Sequence, residues 1–116
     1  MNSREKGKRG ELELAHYLQE NGYVATRGQQ YCGINGDADV VGLPGIHIEC
    51  KRVESGWPGA EMEKAIAQSK RDAYAESLKE GRPMIPTVWH RKNRTKWKVT
   101  MDADDFMDLY RRVSWT

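Results

Sequence analysis

The sequence predicts an α/β fold in which helices flank a central mixed β-sheet. Three observations carry that expectation. Apolar residues recur at helical spacing near the N-terminus and again around residues 60–80. Residues 46–51 alternate strictly between apolar and polar, as a strand with one face in a core does. Short strand-like stretches broken by Gly and Pro complete the order helix, three strands, helix, two strands, helix. The 116 residues fit one domain, taken as 1–116.

Residues 3–21 read as the first helix. Leu12, Ala15 and Leu18 form its stripe, Leu14 widens it, Ser3 is the candidate N-cap, and Asn21-Gly22 stops it. Residues 23–27 are a short strand candidate, and the glycine-rich stretch 28–36 is a loop. Residues 38–42 form the next strand, Leu43-Pro44-Gly45 a turn, and residues 46–51 the third strand. A Gly/Pro loop around Trp57 leads into the longest helix, residues 60–80. Its expected inner stripe is Met62, Ile66, Ser69 and Ala73, flanked by Ala65 and Tyr74. Gly81 and Pro83 end it. Residues 84–89 read as a buried strand despite Pro86, residues 90–95 as a basic turn, and residues 96–101 as a last strand. Asp102 caps a final helix that Phe106, Leu109, Tyr110 and Val113 are expected to dock on the core.

Charge is balanced overall, at +2, but unevenly distributed. From Arg82 to Lys98 there are basic residues and no acid, including Arg91, Lys92, Arg94 and Lys96; Lys6, Lys8 and Arg9 sit near the N-terminus. Such segments imply one positive surface suited to phosphate backbones, and these residues are candidate DNA contacts. Cys32 and Cys50 match no zinc spacing and make no disulfide framework. No run approaches membrane-spanning length, and no apolar stretch follows the N-terminal charges. The expectation is a cytoplasmic protein with no membrane partner.

The chemistry converges on the turn at Pro44. A hairpin centred there sets Asp39 across from Glu49, with Cβ atoms about 4.5–5.5 Å apart. Two carboxylates that close repel unless a cation lies between them. Alternation puts His47, Glu49 and Lys51 on one face and Ile46, Ile48 and Cys50 on the other. Hard oxygen ligands with room left for water and phosphate suit Mg²⁺, with Mn²⁺ able to substitute. Lys51 is then placed to orient a water or to stabilise charge developing on phosphorus. Phosphodiester hydrolysis is the reaction this set fits. Trp57 and Tyr31 are candidates for base stacking or packing.

Glu49-Cys50-Lys51 with Asp39 upstream resembles the PD-(D/E)xK nuclease motif, with Ala38 where proline is common. Residues 6–14, Lys-Gly-Lys-Arg-Gly-Glu-Leu-Glu-Leu, followed by Asn21-Gly22-Tyr23, are similar to the start of archaeal-type Holliday junction resolvases. That resemblance covers roughly residues 4–53. It implies a restriction-endonuclease-like core, Asp39 and Glu49 as metal ligands, Lys51 as catalytic lysine, and Glu11 completing the site directly or through water. It also puts Gln68, on the long helix, near the site. The family often has serines after its first strand, where this chain reads Gly28-Gln29-Gln30. The implied function is Mg²⁺-dependent cleavage of branched or four-way DNA junctions by a homodimer, since two symmetric cuts need two sites. Another nuclease of the same fold, or a non-catalytic DNA-binding module, are the alternatives.

Overall fold

A computed structural model of the chain describes residues 3–28, 38–52, 59–92 and 94–113. The element order is α1 (Ser3–Glu20), β1 (Thr26–Arg27), β2 (Val40–Val41), β3 (Ile46–Arg52), α2 (Gly59–Glu80), β4 (Ile85–Arg91), β5 (Lys98–Thr100) and α3 (Ala103–Arg111). The five strands form one mixed sheet in the order β1-β2-β3-β4-β5. Only β3 and β4 run parallel, and α2 is their crossover. The expected α/β class and mixed sheet are what the chain forms.

The hairpin has the expected register. Val40 pairs with Ile48, as a turn centred on Pro44 requires. Gly45 supplies the positive φ of that turn, at 84°. β2 is shorter than residues 38–42, because the chain leaves the ladder at Asp39. Gly28 lies so close to this departure that an added Cβ would sit 1.9 Å from the Ala38 carbonyl oxygen. β1 is likewise short, with Tyr23 and Val24 exposed ahead of it. Pro86 is accommodated within β4 for a local reason. Ile85 N–H points towards β3, donating to Gly45 O at 2.8 Å, so the Pro86 nitrogen faces away, where β5 has not yet begun.

One face of the sheet carries the apolar core. Leu14, Ala15 and Leu18 of α1 pack with Ala25, Val40 and Ile48. Leu12 does not join them; it is exposed, and the buried stripe is set by Leu14 instead. Against the other face, α2 buries Ala65, Ile66, Ser69, Ala73 and Glu76. Tyr74, expected to flank that stripe, is exposed.

α3 departs most from expectation. It buries no residue, and Phe106, Tyr110 and Val113 are all exposed, with Leu109 half-buried. Asp102 takes the extended cap conformation but makes no side-chain cap bond. Its carboxylate pairs with Lys70 of α2 instead. Beside α3 an open apolar groove of about 850 Å³ runs past Leu43, Ile46, Trp89, Val99 and Met101. Among the described residues no helix is long and apolar enough to cross a membrane.

Candidate active site

The site grows from the alternation of β3. Ile46 and Ile48 face α1 with Cys50. His47, Glu49 and Lys51 face α2 and meet three of its residues one turn apart. His47 lies against Glu76, with Nδ1 to Oε1 at 3.0 Å. Glu49 hydrogen-bonds with Asp72. Lys51 Nζ donates to Gln68 Oε1 at 3.4 Å. The match is geometric: four helical residues rise about 6 Å, and two strand residues about 6.6 Å. Strand and helix therefore form a polar seam of three rungs, deepest at His47 and opening outward at Lys51.

Asp39 enters from the point where β2 leaves the ladder. Asp39 N–H donates to Ile48 O at 2.9 Å, and Cys50 N–H donates to Asp39 Oδ2 at 2.8 Å. That bond fixes the carboxylate beside β3. Glu11 approaches from α1, its Oε1 accepting from Arg27 Nε at 3.1 Å. The Glu11 carboxyl is raised first by burial and then by the charge of Asp39, while Arg27 and Lys51 act against this. Glu11 thus feels the charges of Asp39 and Lys51, and Glu49 feels that of Asp39.

Glu49 is 2% exposed. Burial, Asp39 and Asp72 push its carboxyl well above the ordinary carboxylate range, and His47 opposes them. Burial alone would lower the His47 pKa, but hydrogen bonds to Glu49 and Glu76 raise it to about 9. The His47–Glu49 pair thus holds a proton among several acids. Such crowding of hard oxygen donors is what a divalent cation relieves. Asp39, Glu49 and Glu11 could hold one. His47, Glu49 and Asp72 offer ligand atoms all within 4.8 Å of one another, so Glu49 is common to both sets.

Gln68 lies within hydrogen-bond reach of Lys51. His47, on the same face of β3 as Glu49 and Lys51, is fully buried between Glu49 and Glu76. Asp72 and Glu76 were missed by sequence reasoning. Their signal was the spacing Gln68, Asp72, Glu76, which repeats every four residues opposite His47, Glu49 and Lys51. Burial pushes the Cys50 thiol up, which suits a packing residue rather than a nucleophile.

The basic residues fall in two places. Lys8 and Arg9 are exposed on the first half of α1, and Lys92, Arg94 and Lys96 are exposed after β4. Arg91 links the two regions, donating to Glu13 Oε2 at 2.9 Å and stacking 4.6 Å from the Trp97 ring centre. The Lys6 side chain, Tyr31 and Trp57 lie outside the described residues.

One protein-family model matches residues 2–115; its description is phage putative PDDEXK endonuclease. No curated protein and no solved structure is similar enough to count as a match.

Proposed function

The chain belongs to this phage PDDEXK endonuclease family, and from that premise we propose that it is a Mg²⁺-dependent, structure-selective endodeoxyribonuclease that resolves four-way DNA junctions. The observation that carries the reading is that Asp39, fixed beside β3 by Cys50 N–H, interacts with both Glu49 and Glu11, while Glu11 also interacts with Lys51. In it Asp39 and Glu49 are the metal ligands, with Glu11 a further one. The bound cation supplies positive charge to the scissile phosphate and acidifies a water. Asp39 is pre-aimed by Cys50 N–H, so its carboxylate needs little reorganisation to bind. Lys51, held by Gln68, orients the attacking water or stabilises charge gathering on the phosphate oxygens as the P–O bond breaks.

Lys6, Lys8, Arg9, Arg91, Lys92, Arg94 and Lys96 are proposed phosphate contacts, and Gln68 a contact near the scissile bond. Contacts of that kind follow the path of a backbone rather than base identity, as junction recognition by shape demands. The junction assignment itself draws on the basic leader before Glu11 and its resemblance to resolvases. The proposed active form is a cytoplasmic homodimer of single-domain chains. Support for a second copy comes from the exposed apolar face of α3.

The test is cleavage of a synthetic four-way junction against a linear duplex of the same arms, with Mg²⁺. The junction is expected to be cut in preference, by paired symmetric incisions. Equal cutting of both substrates would replace the resolvase reading with a general nuclease of the same fold.

A further inference from the structure

The seam between β3 and α2 contains two buried residues, His47 and Glu76, that the hydrolytic scheme leaves unused. His47 is completely buried. Its Nε2 lies 2.9 Å from Glu49 Oε1, and its Nδ1 lies 3.0 Å from Glu76 Oε1. The imidazole thus bridges the two carboxyl groups through both of its ring nitrogens. Glu76, His47 and Glu49 therefore form one hydrogen-bonded chain. The backbone under them is pinned as well. Thr87 Oγ1 donates to the His47 carbonyl at 2.7 Å, and Ser69 Oγ donates to the Thr87 carbonyl at 3.1 Å.

This arrangement has two consequences for Glu49. One carboxylate oxygen, Oε1, is committed to His47, which removes the rotational freedom a glutamate otherwise has. Glu76 in turn fixes the ring from its other nitrogen, so the imidazole does not turn away from Glu49. We propose that Glu76 is a positioning residue which, through His47, holds the Glu49 carboxylate in the orientation that binds the divalent cation. This rests on the reading of Glu49 as a metal ligand given above. Groups that hydrogen-bond to metal ligands set ligand orientation and metal affinity in general.

The test is calorimetric titration of the full chain, without DNA, with Mn²⁺. Three proteins are compared: wild type, Glu76→Gln, and Glu63→Gln, a control exposed on the same helix. Glu63→Gln is expected to match wild type. Glu76→Gln is expected to bind Mn²⁺ roughly tenfold or more weakly. In cleavage assays it should need correspondingly more metal for half-maximal rate, while the rate at saturating metal stays nearer wild type. A residue that merely stabilises the fold would not produce that split. Equal Mn²⁺ affinity in all three proteins overturns the proposal and leaves the metal site standing. Wild type that binds no Mn²⁺ overturns the metal reading itself, and this proposal with it. If Glu76→Gln and His47→Gln both fail to fold, the seam is purely structural and the proposal is overturned.

Discussion

The two faces of β3 come from alternate residues of one strand, yet they are held by different physics. Ile48 lies on the α1 side, fully buried among Leu14, Leu18 and Val40. His47 and Glu49 are buried as deeply on the α2 side, but among Glu76, Asp72 and Asp39. The first face is stabilised by removal of apolar surface from water and by close packing. The second concentrates ionisable groups where water is scarce, and the acids among them repel. A strand that served only as scaffold would gain by making both faces alike. The polar seam is therefore the part of the fold whose cost asks for a functional reason.

Substitutions should separate the faces. Ile48→Ala is expected to have the largest effect on stability, a loss of about 2–5 kcal/mol in chemical denaturation. Its residual activity should follow the folded fraction. A loss under about 1 kcal/mol would mean that the α1 face is not the core.

On the other face, Asp72→Asn is expected to stabilise the metal-free chain by about 1 kcal/mol near pH 8, because an amide N–H replaces a like charge against Glu49. The same substitution should weaken divalent-metal binding. Destabilisation together with unchanged metal binding would show that Asp72 does not bear on Glu49.

The pH response should also mark the seam. The folded pKa of His47, about 9, lies above its ordinary value of 6.5, and that of Glu49 is likewise raised. Groups that bind protons more tightly when folded stabilise at low pH and lose that contribution as pH rises. Metal-free stability should therefore fall between about pH 6.5 and 9, and added divalent metal should raise the Tm more at the alkaline end. Melting curves in chelator and in metal, at pH 6 and pH 9, would reveal this. Rising metal-free stability over that range would contradict the buried pair.

The smallest effect is expected at Lys70→Ala. Lys70 is exposed, so its ion pairs to Asp102 and Asp105 should contribute less than about 1 kcal/mol.

The alternation of residues 46–51 and the turn at Pro44 were legible because strand period and turn chemistry are local. They gave the face carrying His47, Glu49 and Lys51, and the hairpin register followed. Helix packing is not local, and there the reading failed in opposite directions. Asp72 and Glu76 resemble the solvent face of an ordinary helix, since their four-residue spacing gains meaning only once α2 is known to lie against His47 and Glu49. The apolar stripe of α3 resembles a docking face, and Phe106 and Tyr110 nevertheless remain exposed. Glu11 could be singled out only by resemblance, because its relation to Asp39 depends on how α1 crosses the sheet.

The central claim is that the end of β3 hydrolyses DNA with a divalent cation. Its most direct test is four-way junction cleavage by wild type and Lys51→Ala, each with Mg²⁺ and with chelator. Lys51 is half-buried at the rim of the seam, so its removal should leave the fold intact. The account predicts cleavage by wild type only with Mg²⁺, and a rate lower by on the order of 10²–10³-fold in Lys51→Ala. Undiminished cleavage by Lys51→Ala, or cutting by wild type in chelator, would contradict it.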